Sequence, residues 1–238
     1  MRSLAQQDVE SLGGRISVLR RQQADHVRLD ALLRELDRTL PDQQDPVLRR
    51  IYRLVFPHAF AEESVLWPVL RRTVPDGERL TLQIEQEHQE VNELVSALER
   101  MTAADPDRAA TLDRLTAVLR EDVRDEEDQL LPRLQQLATR AQLRRLGLAW
   151  ELVRRTAPTR AHPVVARRPP GNVVAALPLS LLDRTRDGVD LLAQHGPAAL
   201  APALHWTSSR LTGLAHRLEQ LHAARRGEHP STARARPS

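Results

Sequence analysis

The sequence predicts an all-α protein: an antiparallel up-down four-helix bundle over residues 1–140, followed by a C-terminal helical extension. Three observations carry this. The 238 residues are 41% apolar but only 3% aromatic, so a core must be built mostly of Leu, Val and Ala, which favour helices over strands. No alternating apolar run of useful length is present. Turn-forming clusters at 41–46 (PDQQDP), 74–77 (VPDG) and 103–107 (AADPD) separate four long segments of helical periodicity, through loops short enough to bring successive helices up antiparallel.

In the first segment Leu19, His26, Leu33 and Leu40 recur every seven residues, with Gln22, Leu29 and Leu36 on the adjoining row. His26 therefore takes a position that the pattern reserves for an apolar core residue. Asp25 and Asp30 flank this stripe and are expected at the surface. The second segment carries HAFAEESVLWPVL (58–70), with Pro57 just ahead, read as a kink or a fresh helical start. The third aims Ile84, His88, Val91, Val95 and Leu98 inward, with Asn92 one turn past His88. The fourth carries DVRDEEDQLLPRL (122–134).

The second and fourth segments align at an offset of 64 residues. Glu62 matches Glu126, Glu63 matches Glu127, Leu66 matches Leu130, Pro68 matches Pro132 and Leu70 matches Leu134, while His58 lies opposite Asp122. Each half thus has a metal-capable side chain four residues before a Glu, and on a helix that spacing stacks both donors on one face. Burying such groups uncompensated costs roughly 1–3 kcal/mol for a neutral polar group and far more for a carboxylate. A metal cluster between the helices offsets that cost, whereas a single inward His or one His-Glu pair would read as an ordinary core or helix-stabilising feature. Glu63 and Glu127 fit equally a solvated salt bridge or a role orienting a ligand.

This order of motifs, a lone His, then HxxxEE ahead of a Trp-Pro, then EH, then EExxLLP, resembles the hemerythrin family of HHE cation-binding domains over about residues 15–137. The resemblance implies a four-helix bundle holding a non-haem di-iron centre, Mn being a possible substitute. It implies His26, His58, Glu62, His88, Asp122 and Glu126 as metal ligands, with Glu62 and Glu126 bridging, His26 and His58 on one iron and His88 with Asp122 on the other. This chain departs from the family in having Asp122 where His is usual, and Asn92 where the oxygen-carrying branch has a second His. More anionic oxygen favours Fe(III) or Mn over reversible oxygenation, or marks a site reduced to one metal. An open coordination position would take O₂, peroxide or nitric oxide, in sensing, detoxification or iron handling, and any catalysis would be metal-centred redox chemistry, peroxide-consuming or ferroxidase-like.

The absence of cysteine excludes disulfides, Cys-zinc sites and iron–sulfur clusters. No signal-peptide core and no membrane-spanning apolar run is visible, so a cytoplasmic protein is expected. Its basic residues are all Arg, which with abundant Ala, Leu and Pro suggests a GC-rich bacterial gene. Residues 1–140 hold 20 Arg against 26 acids, and residues 141–238 hold 15 Arg against 6 acids. The Arg-rich extension spans 141–226, with helices expected at 141–155 carrying Trp150, at 179–194 and at 203–226. A proline-rich linker at 156–177 divides it, and 227–238 reads as a disordered tail. Arg144, Arg145, Arg154, Arg155, Arg160, Arg167 and Arg168 could form a basic face for nucleic acid or an acidic protein partner. The scarcity of aromatics and the lack of any DNA-binding signature argue against nucleic acid and for solvated arginines, some paired with the acidic bundle. His205, His216 and His222 lack an accompanying acidic motif and read as ordinary.

Overall fold

A computed structural model describes residues 3–232, and among these there is no strand. The helices are α1 (Val18–Leu36), α2 (Asp45–Ala61), α3 (Trp67–Thr73), α4 (Gly77–Leu98), α5 (Arg108–Asp125), α6 (Leu131–Leu137), α7 (Arg140–Thr156), α8 (Gly171–His195) and α9 (Ala201–Glu219). α2 and α3 form one rod joined by a widened π-type turn at Glu62–Leu66, and α5 and α6 form another joined at Glu126–Leu130. With α1 and α4 these rods make the four-helix bundle. No described helix is long and apolar enough to cross a membrane.

The bundle core consists of two apolar clusters with a polar layer between them. One gathers Leu29, Leu33, Ile51, Phe56, Val91, Leu98, Leu115 and Leu119; the other gathers Leu19, Ala61, Trp67, Leu80, Ile84, Leu130 and Leu134. α1 leaves the second cluster and enters the first, the α2–α3 rod returns, α4 repeats the outward path, and the α5–α6 rod closes it. The order is antiparallel, up and down. On every rod the cluster changes at the same level: residues 22–26, 58–63, 85–89 and 122–127.

The two π-type turns have a shared local cause. In each, the amide two residues past the Glu-Glu-x-x segment bonds back five residues, Trp67 to the Glu62 carbonyl and Leu131 to the Glu126 carbonyl. Pro68 and Pro132 follow directly. A proline offers no N–H and its ring crowds the carbonyl four residues earlier, so widening the preceding turn relieves the clash. One extra residue per turn also lets two consecutive glutamates face inward, which a regular helix would separate by about 100°. The helix does not restart at Pro57, which sits within α2. α1 ends at Leu36, leaving Leu40 outside the helix and exposed.

Helix α7, expected to belong to the extension, packs on α1 and α2, and its Leu143 and Trp150 join the second core cluster. It starts cleanly because Thr139 and Gln142 form a reciprocal capping box. Its closeness requires Gly147, where a Cβ would stand 2.1 Å from the Ile16 carbonyl oxygen. α7 thus lies against two of the four rods.

The proline-rich segment 157–170 is no free linker. Ala157, Thr159, His162, Val165, Ala166 and Arg167 are buried between the bundle and the α8–α9 hairpin, which has a small core of its own around Leu179 and Ala215. α8 begins at Gly171, earlier than its periodicity indicates. Part of the expected disordered tail is also packed: Glu228 accepts the Arg167 amide and Thr232 is buried, while 233–238 lie outside the described residues.

His162 anchors this region. Its Nδ1 meets Glu219 at 2.9 Å, its Nε2 meets Asp183 at 3.0 Å, and its backbone N–H donates to Asn92 Oδ1 at 2.9 Å. Burial alone would lower its pKa, but the hydrogen bonds and charges of Asp183 and Glu219 prevail and raise it from 6.5 to about 9. A raised pKa in the folded state stabilises fully below about pH 6.5 and fades as pH climbs through about 9, a loss of up to about 3 kcal/mol. Proteolytic nicking of 157–170 should therefore accelerate between pH 7 and pH 10. An unchanged nicking rate over that range would show that His162 does not hold the segment down.

Candidate metal centre

Within the polar layer the bundle brings its three histidines and three carboxylates together. His26 Nε2 lies 3.1 Å from Glu126 Oε2, and His58 Nε2 lies 3.1 Å from Glu62 Oε1. His88 Nε2 lies 3.7 Å from Glu62 Oε2 and 3.4 Å from Asp122 Oδ1. Two groups of three have ligand atoms all within 4.8 Å of one another: His26, His58 and Glu126, and Glu62, His88 and Glu126. Glu126 belongs to both. Asp122 stands beside the second through His88.

The donor set fits a pair of cations on one physical test. His26 Nε2, His88 Nε2, Glu62 Oε2, Asp122 Oδ1 and both Glu126 oxygens are buried without a well-formed hydrogen bond. Native interiors leave only a few such atoms per hundred residues, and here six of them converge on one layer. Gln22 donates to Glu62 Oε1 at 2.6 Å and so braces the carboxylate from α1. Burial, with the Glu62 and Asp122 carboxylates alongside, pushes the Glu126 carboxyl up to about 8. A cluster of acids this crowded calls for positive charge.

Behind each imidazole stands a carboxylate on Nδ1. Glu127 meets His26 at 2.8 Å, Glu63 meets His88 at 2.9 Å and Asp25 meets His58 at 3.2 Å. When the carboxylate accepts the Nδ1 proton, the Nε2 lone pair faces the centre, the tautomer a metal needs. Glu63 and Glu127, whose two readings were evenly matched in the sequence, take this orienting place. Asp25 corrects the expectation of a surface residue: it is largely buried, and burial, which would raise its pKa, is outweighed by His58 and Arg154, which hold the carboxyl below its usual range. Asp30 does lie on the surface, paired with Arg34.

Asn92 is turned to another use. Its amide donates to the His88 carbonyl at 2.9 Å and its oxygen receives the His162 amide, so it docks the segment that follows the bundle. The arginines of the supposed basic face are mostly spent on carboxylates. Arg154 reaches Asp25 and Glu151, Arg160 reaches Glu99, Asp187 and Asp190, Arg167 lies near Glu63, and Arg168 pairs with Glu78 and Glu85. Arg155 pairs with Glu151, and Arg144 and Arg145 stay exposed. His205, His216 and His222 are exposed as well. His162 was missed because nothing in its spacing separates it from a lone linker histidine.

A small cavity of about 30 Å³ opens against the centre, lined by His26, His58, His88, Asp122 and apolar walls from Leu29, Leu54, Phe56 and Val91. It exceeds the roughly 10–15 Å³ that one water needs. On the opposite side Trp150 sets its edge against His58, with ring centroids 5.4 Å apart, and Trp67 stacks beside His88.

The comparisons with known proteins agree with this geometry. No solved structure matches the chain. An uncharacterized hemerythrin-like protein of Schizosaccharomyces pombe is 26% identical over 131 residues, which cover 55% of this chain and 64% of the relative's length, so the chain spans under two thirds of that relative. The hemerythrin HHE cation-binding domain matches residues 17–134, which hold every donor described above. Through residues 17–134 the chain belongs to the hemerythrin HHE cation-binding domain family.

Proposed function

We propose that the protein holds two irons in the polar layer and works on a small ligand such as O₂, peroxide or nitric oxide. The observation that carries this reading is the convergence of unsatisfied buried donors from all four rods. In this reading His26, His58 and Glu126 hold one ion, while Glu62, His88, Asp122 and Glu126 hold the other. An iron pair would supply one-electron redox chemistry toward the small ligand. The residues do the rest. Glu127, Asp25 and Glu63 keep the three Nδ1 protons and so present three Nε2 lone pairs; Gln22 fixes one face of Glu62; Leu29, Leu54, Phe56 and Val91 give the cavity apolar walls.

With three carboxylates among six donors, the site favours a higher oxidation state than a reversible carrier needs. That supports sensing, peroxide consumption or iron oxidation over oxygen transport. Protein purified under reducing conditions should contain two irons per chain and develop a near-ultraviolet absorption band in air that does not reverse under vacuum. Iron well below one per chain, with none taken up on reconstitution, would end this reading. The variant Asp122→His should retain both irons and make the oxidised form easier to reduce, as measured by reductive titration.

A further inference from the structure

The segment after the matched family domain does more than cover the bundle. Its contacts fall on the residues that surround the candidate ligands. Gln89 donates to the Pro163 carbonyl at 3.0 Å, Asn92 accepts from the His162 amide, and Ser64 accepts from Asn172 at 3.3 Å. Two of its arginines reach further in. Arg154 of α7 lies 3.3 Å from Asp25 Oδ2, the atom that holds His58 Nδ1. Arg167 lies 3.8 Å from Glu63 Oε1, the atom that holds His88 Nδ1.

The same arrangement thus occurs twice, arginine to carboxylate to imidazole, once behind each of the two three-residue groups. The third imidazole lacks it: among the described residues no Arg lies within 4.0 Å of Glu127, the partner of His26. Both arginines come from beyond residue 134, where the family match ends. We propose that Arg154 and Arg167 are positioning residues that set the reduction potential of the metal pair, Arg154 through Asp25 on His58 and Arg167 through Glu63 on His88. This rests on the metal-binding reading above and names how the extension regulates that site.

The physical reasoning has two parts with the same sign. A carboxylate on Nδ1 makes an imidazole a stronger donor and so favours the more highly charged metal. An arginine on the far side of that carboxylate draws its charge away and weakens the push. The guanidinium is also a positive charge one carboxylate and one imidazole ring behind the site, buried at Arg167 and partly screened at Arg154, and it opposes any gain of positive charge there. Both arginines therefore hold the centre toward its reduced form.

The test uses the full chain loaded with iron, with iron content and midpoint potential measured on the same samples. Arg154→Gln and Arg167→Gln should each keep their iron and shift the potential negative by at least a tenfold change in the oxidised-to-reduced ratio, about 59 mV for a one-electron step. Arg154→Lys and Arg167→Lys, which keep the charge, should restore most of the shift. Arg155→Gln, on the same helix as Arg154 but paired only with Glu151, should leave the potential unchanged. Iron-replete Gln variants at the wild-type potential would overturn the proposal. Arg154 is 27% exposed and the safer position, so Arg154→Gln decides the matter even if Arg167→Gln fails to fold. A wild-type chain without iron fails a different way, by removing the metal reading on which this one stands.

Discussion

Glu126→Gln should empty both metal positions at once. Glu126 is the carboxylate shared by the two donor groups, and an amide offers one weak neutral oxygen where an ion bound in either group would meet a carboxylate oxygen. The loss should exceed the 10–100-fold in affinity that follows removal of a residue standing behind a ligand. Glu127→Gln, its neighbour, only frees the His26 ring and should fall within that range. Stability of the metal-free protein should hold. Burial and the neighbouring acids push the Glu126 carboxyl up to about 8, so at neutral pH it is mostly uncharged and the amide replaces a largely neutral group. Metal titration followed by calorimetry, with melting of the stripped proteins, reads both effects. A Glu126→Gln protein that keeps two ions, or melts below the stripped wild type, contradicts the shared role.

Trp150→Ala should be strongly destabilising, by about 3–5 kcal/mol for a buried aromatic. Trp150 is 1% exposed, it joins the second apolar cluster, its ring edge rests on His58, and Arg154 lies over its face at 5.1 Å. Removing it takes away the largest apolar side chain by which α7 holds to the bundle and loosens the packing around Asp25 and His58. The urea midpoint should fall in the metal-free and loaded protein alike, and iron affinity should fall with it. Trp150→Phe, which keeps most of the ring, should recover most of both. A Trp150→Ala protein as stable as wild type would mean that α7 is an appendage and the bundle is complete without it.

The fold and the inward donors were legible in the sequence because both depend on local spacing. The heptad through Leu19, His26 and Leu33 and the i, i+4 pairs His58/Glu62 and Asp122/Glu126 are statements about a helix face, and each of these residues is buried. What the sequence withheld depends on turn geometry or on tertiary neighbours. A regular period turns Glu63 and Glu127 away from the centre; only the widened turns bring them in, and the repeated Pro68 and Pro132 were the signal for those turns. Asp25 sits one residue off the stripe of α1, where a four-rod bundle has only solvent, and α7 is what buries it. Asn92 looked like a damaged ligand because its true partner, the His162 amide, lies 70 residues away. The buried arginines were hidden by composition, which counts charges without pairing them.

The level at which all four rods change from one apolar cluster to the other is also a plane of weakness. Few apolar side chains cross it, so there the two halves are joined by the rods themselves and by imidazole–carboxylate pairs. Amides bordering this seam should open to solvent before either half melts, and bound ions would rivet it shut. The polar seam and the candidate metal centre coincide, so gain or loss of metal should be felt as a change in stiffness at the waist of the bundle.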